Sequence, residues 1–386
     1  MRRLLAIILV CALIAGVGVG CKKAEVKPTE QVVNLGGIFP LTGGSASLGL
    51  FSKNGETMAV EEFNAAGGAT IDGVKTTINL IVEDDTASPE VAASATQKLI
   101  NQDKVIGIIG GIMSNISLAI APIAQAAGVP EIATTSTNTK VTLVGDYIFR
   151  TCFIDSFQAP VVANYVWNTM KLKTAACLFD NSNDATVEEA TMFKAAFEKD
   201  GGKVVAFEAF TDEQKTIDFN AQLTKIKAAK PEFLYIPAFY GANALELKQA
   251  RAMGLNIPAG GADGADSPDL VKIGGAAVEG FIFSTHFFHG DPAPKVQAFV
   301  TAYTAKYGEA PGAHAALAYD AAGLFLDAFK TAGSIKGSDI RDAIKNTTFS
   351  GVAGAYKFDA SRNPIKAAVI LQIKNGQQTF LATVNP

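Results

Sequence analysis

Histidine occurs three times in 386 residues and cysteine four times. His286 and His289 stand three apart in a stretch that reads as extended, so their rings would not face together. No third ligand type lies nearby, which argues against a metal site. His314 opens a helical pattern and reads as structural. No Ser/His/Asp order and no paired-carboxylate motif stands out, so no catalytic residue is expected and the chain does not read as an enzyme. Gly16, Gly18 and Gly20 belong to an apolar leader, and the glycine-rich turn near Gly43 lacks G-x-G-x-x-G spacing, which disfavours a nicotinamide cofactor. Glu83, Asp84 and Asp85 then read as the polar end of a strand. Cations are also short, with 33 Lys plus Arg against 37 Asp plus Glu for a net charge of −4. Without a basic stripe, nucleic acid is excluded as a partner.

Long apolar runs are absent except one. Arg2 and Arg3 precede Leu4 through Val19, which ends in small residues before Cys21, the layout of an export signal. Gly18-Val19-Gly20-Cys21 resembles a bacterial lipobox, with Gly18 where Leu is usual, so Cys21 is the expected lipidation site. A retained membrane anchor is the alternative, although the run is slightly short for a span of ~20 residues. Residues 1–20 are thus read as signal peptide and 21–30 as a polar tether. Removal of the signal lowers Lys plus Arg from 33 to 31 while Asp plus Glu stays at 37, so the exported chain carries −6. Cys11 leaves with the leader. Cys152 and Cys177 remain in strand-like runs, where a disulfide and two buried thiols both stay open.

From Val32 the pattern alternates. Strands read at Val32 to Phe39, Thr76 to Val82, Val105 to Ile109 and Val129 to Ala133, with helical spacing between them. The series restarts at Thr174 to Phe179, Val204 to Phe210, Phe233 to Pro237 and Ile257 to Gly261, again separated by helices. Two parallel βαβ sheets follow. Two helices, Pro294 to Tyr307 and His314 to Thr331, and a hairpin turning at Asn375-Gly376 complete the chain.

The stretch from Val105 to Thr142 places hydroxyl-rich turns after two consecutive strands. Ser114 and Asn115 fall at a helix start, where backbone amides lack partners and an anion is favoured. Thr134-Thr135-Ser136-Thr137 follows the next strand. Parallel strands put both turns at one carboxyl-end edge, the ligand edge of open α/β sheets. Each turn alone could equally be a cap.

GIFPLTGGSASLG, Asn54-Gly55, Asn64 to Gly68, Glu83 to Asp85, Phe149-Arg150-Thr151 and Lys248 to Arg251 together resemble the periplasmic leucine/isoleucine/valine-binding protein family, amino-acid receptors of ABC transporters. The resemblance covers nearly all of the mature chain. It implies an α/β fold of two doubly wound parallel-sheet lobes joined by three crossovers, the type I periplasmic binding protein fold. The first lobe would be residues 31–152 plus 286–351 and the second 153–285 plus 352–386, with crossovers near Cys152, near Thr285 and near Gly351 to Gly354.

The resemblance also assigns roles. Ser114, beside Met113, and Thr137 would hold a ligand carboxylate, the Ser136 carbonyl would accept from the ligand ammonium, and Asp263 would pair with that ammonium. Leu48 stands where an aromatic is usual and Asp184 where Tyr is common. Asp184 reads equally as a contact to a polar side chain and as a helix cap. Phe239, Tyr240 and Phe287 would line an apolar or aromatic pocket. The expectation is a monomeric, exported lipoprotein that binds an amino acid, branched-chain or otherwise small and apolar, with a membrane permease as partner and no cofactor. A ligand-sensing domain of the same fold acting in signalling, or a receptor for another small polar amide or carboxylate, is the alternative.

Overall fold

The computed structural model describes residues 29–386. The apolar leader and Cys21 lie outside the described residues.

The first sheet is built from runs that alternate with amphipathic helices, so its parallel strands are buried on both faces. Its strand order is Ala69–Ile71, Val74–Asp84, Glu30–Phe39, Ile108–Gly110, Glu131–Ala133, Ile148–Arg150. All neighbours run parallel except the first pair. The second sheet runs Lys203–Phe210, Thr174–Asp180, Phe233–Tyr235, Ala259–Gly261, Ile282–Thr285 in parallel, and Ala368–Lys374 and Gln377–Val384 close it as an antiparallel hairpin. In each sheet the order reverses once, beside Glu30–Phe39 in the first and beside Thr174–Asp180 in the second. Ligand crevices form at such reversals, outside the carboxyl ends of the strands.

The chain crosses between the sheets three times. Residues 151–154 carry it from the first to the second, and it returns after Thr285, since the helices Pro294–Tyr307 and Ala313–Ala332 pack on the first-lobe helix Ala46–Ala65. Phe51 and Tyr303 stack with centroids 6.3 Å apart in that contact. The third crossing falls later than Gly351 to Gly354. Phe358 packs on Phe149, and the Arg362 Nε donates to Ile148 O at 3.0 Å, so residues through 363 still belong with the first sheet. The crossing is at 364–367, where Lys366 Nζ donates to Thr151 O.

The helix Asp155–Asn168 does not stand out in the sequence because Pro160 lies inside it and its buried face carries Asp155 and Gln158. Cys152 and Cys177 are both buried free thiols, which settles the disulfide question against a bond.

Candidate functional site

A cleft with about 370 Å³ of empty space lies between the two sheets. From the first lobe it is lined by Ile112, Met113, Ser114, Thr135 and Thr137, and by His314 from the helix after the second crossing. From the second lobe come Asn183, Thr186, Glu189, Phe239 and Asp263, with Ala185, Pro237, Ala238, Ala262 and Gly264 between them.

The first-lobe wall begins at a forced turn. Gly110 and Gly111 have φ of +156° and +76°. A Cβ on Gly111 would lie 1.8 Å from Ser117 Oγ, so no other residue fits where strand becomes helix. The turn delivers Met113 and Ser114 to the start of the helix Ser114–Ala127, whose N-terminus has no side-chain cap. The amides of Ser114 and Asn115 have no acceptor among the described residues, which leaves the positive helix end open. Ser114 Oγ accepts from Asn138 N at 3.1 Å, so its own proton is free to point into the cleft.

Thr135 to Thr137 alternate in direction as an extended chain must. Thr135 and Thr137 face the cleft. Ser136 faces the lobe interior: its hydroxyl donates to Gly111 O at 2.8 Å, and its carbonyl accepts from Arg150 Nη1 at 2.6 Å and Cys152 Sγ at 3.3 Å. That carbonyl is therefore occupied, and the expectation that it meets a ligand ammonium is corrected. The Thr135 carbonyl accepts no hydrogen bond among the described residues. Thr137 lines the cleft, with its hydroxyl directed to Asp155.

The second-lobe wall is acidic beneath an apolar rim. Asp263 accepts from His286 Nε2 at 2.9 Å and from Gln158 Nε2 at 3.0 Å. Burial would push its carboxyl up, but these hydrogen bonds outweigh burial and hold it below the usual range. Burial moves His286 down to about 4, so the contact is a neutral imidazole N–H on a carboxylate. His286 stacks on Phe153 at 3.7 Å, which fixes the ring. Gln158 Nε2 also donates to Glu189 Oε1 at 2.6 Å and Asp155 Oδ1 at 3.1 Å. Burial raises Asp155 to about 7 and Glu189 well above its ordinary value, each further raised by neighbouring carboxylates. Glu213 ties two cleft turns together, accepting from Asn183 Nδ2 at 2.9 Å and Phe239 N at 2.8 Å.

Met113, Ser114, Thr137, Phe239 and Asp263 thus meet in one cleft. Five expected residues do not, Ser136 among them. Leu48 is fully buried in the first-lobe core. Phe287 packs edge-on against Phe299 at 6.0 Å, away from the cleft. Tyr240 spans the lobes elsewhere, its hydroxyl donating to Gly44 O at 2.8 Å. Asp184 opens a helix capped by Asn183 and pairs with Lys140 at 2.8 Å on the exposed rim. In the other direction, His314 is a cleft residue rather than a structural one.

A family model for periplasmic binding proteins matches residues 32–378. The sequence is 30% identical over 322 residues to a leucine-, isoleucine-, valine-, threonine- and alanine-binding protein of Pseudomonas aeruginosa, covering 83% of this chain and 84% of that one. A leucine-binding protein of Thermotoga maritima superposes with a TM-score of 0.86 at 35% identity, over 92% of this chain and 99% of that one. A branched-chain amino acid transporter substrate-binding protein of Streptococcus pneumoniae, solved with isoleucine, gives 0.86 at 33% identity, over 92% and 100%.

Proposed function

The chain belongs to the periplasmic binding protein family, and from that premise we propose that it captures a free amino acid for an ABC transporter permease. The observation that carries this reading is the opposed polarity of the cleft. Its first-lobe end offers neutral donors, the Ser114 hydroxyl and the unpartnered amides at a helix start. Its second-lobe end offers ionised Asp263, and Thr135 lines the cleft from the first lobe. A zwitterion satisfies both ends at once, its carboxylate on the amides and its ammonium on Asp263.

Bridging couples binding to closure. The ligand stabilises the closed arrangement only by its greater affinity for two walls than for one. Met113, Phe239, Ile112 and Pro237 supply apolar walls for a side chain of about leucine size. The permease then recognises the closed form, while Cys21 tethers the exported protein to the membrane on the periplasmic side. Calorimetry against free amino acids, their methyl esters and their N-acetyl forms tests the reading. Free amino acids should bind and both blocked series should fail. Equal binding of the blocked forms would remove the zwitterion site.

A further inference from the structure

Resting on that amino-acid reading, we propose that Glu189 is the specificity residue of the cleft, and that the ligand's side chain ends in an N–H donor, an amide or an amino group. On that reading Asp263 already pairs with the α-ammonium, which leaves Glu189 as a second carboxyl in the lining. Among the described residues no Lys or Arg lines the cleft.

The hydrogens available to the acids do not suffice. The two amide hydrogens of Gln158 face Asp155 Oδ1, Glu189 Oε1 and Asp263 Oδ1, at 3.1, 2.6 and 3.0 Å. The Gln158 carbonyl is itself held by Ser284 Oγ at 3.0 Å, which fixes the amide's orientation. Thr137 supplies one more hydrogen to Asp155, and His286 one to Asp263. Burial, and then the neighbouring Asp155 carboxyl, raise Glu189 well above its ordinary value. Asp155 Oδ2 still has no partner, although the residue is fully buried. His314, 2% exposed and in the opposite wall of the same cleft, likewise leaves Nδ1 without a partner among the described residues. A buried acceptor without a donor is costly, and at His314, which lines the cleft, a donor carried by the ligand relieves it. Sites built to hold such a donor reject analogues that lack it far more strongly than an apolar pocket rejects a missing methylene.

The test is calorimetry on the full exported chain with glutamine, asparagine, lysine and 2,4-diaminobutyrate against leucine, isoleucine and valine. Glu189→Ala and Glu189→Gln are run alongside, each checked by its unliganded melting temperature. The wild type should favour at least one donor-bearing ligand over all three aliphatic ones by tenfold or more. Glu189→Ala should abolish that margin. A wild type that prefers an aliphatic ligand overturns the inference and leaves the amino-acid reading standing. So does an equal loss for every ligand in Glu189→Ala, because Glu189 would then grip only the α-ammonium. If no amino acid binds, the reading beneath it falls as well. Should Glu189→Ala unfold, Glu189→Gln decides, since it keeps the shape and must still lower the margin for cationic side chains.

Discussion

Glu188 of the second lobe accepts both the backbone N–H and the hydroxyl of Thr139 of the first, at 3.1 and 2.8 Å. Asn138 Nδ2 donates to Asp184 O at 3.0 Å beside it, and Tyr240 closes the opposite side on Gly44 O at 2.8 Å. Direct contacts between lobes therefore contribute to closure beside the ligand's own bridge, and the neighbouring Lys140–Asp184 pair is exposed enough to add little.

Glu188→Ala should weaken the apparent affinity about three- to tenfold without touching the ligand, the loss of two partly buried hydrogen bonds at ~0.5 to 1.5 kcal/mol each being shared between closure and solvent. Scattering should show a larger unliganded radius of gyration and unchanged compaction at saturation. An affinity and radius equal to wild type would show that this contact does not hold the lobes.

Ser114→Ala removes the hydroxyl that takes Asn138 N and aims its proton at the ligand, and should cost about 1 to 3 kcal/mol of binding. Thr137→Ala should cost less directly, because its hydroxyl is already spent on Asp155. Calorimetry at one pH ranks the two, and a larger loss for Thr137 would reverse the assignment.

Strand ends and turn chemistry made much of the site readable. Ser114, Thr137 and Asp263 each follow a strand of a βαβ unit, so their edge was fixed once the strands were. Ser136 shows the limit: in an extended turn a shift of one residue exchanges cleft for core, and nothing local distinguishes Thr135 from Ser136. Glu189 lies inside a helix, three residues after Thr186, where an acid looks like part of a solvated face. His314 reaches the cleft from beyond the second crossing, and Gln158 from a helix whose Pro160 hides its periodicity. These contacts are made by packing between distant segments, which spacing does not encode.

Cys21→Ser should move the expressed protein from the membrane fraction to the soluble periplasmic one while calorimetry on it stays unchanged. The basic, apolar, small-residue order before Cys21 motivates this expectation. Retention in the membrane would refute the lipid anchor.

Stability of the unliganded protein should fall as pH rises. The folded-state carboxyls of Asp155 and Glu213 are raised by burial to about 7. Groups raised on folding stabilise fully below their unfolded values, near pH 4, and that contribution is lost as pH climbs through the folded value. Melting temperature should therefore be higher at pH 5 than at pH 8, each group contributing at most about 4 kcal/mol over three pH units. Asp155→Asn should flatten this slope. A melting temperature that rises from pH 5 to pH 8 would contradict the buried acid cluster.

Asp263→Asn separates holding the ligand from closing on it. The substitution keeps the shape and one acceptor oxygen for His286 or Gln158 but removes the charge opposite the α-ammonium. Loss of one partner of a desolvated charge pair costs roughly 2 to 5 kcal/mol, more than either hydroxyl change. The first-lobe amides would still hold the carboxylate, so weak binding should persist at high ligand concentration. Closure depends on what the second wall adds, and that difference is what Asp263→Asn removes. Scattering at saturating ligand should therefore show little compaction beyond the unliganded state. Normal affinity with full compaction would make Asp263 a residue of the His286 and Gln158 network alone, and the ammonium would have to be sought at Glu189.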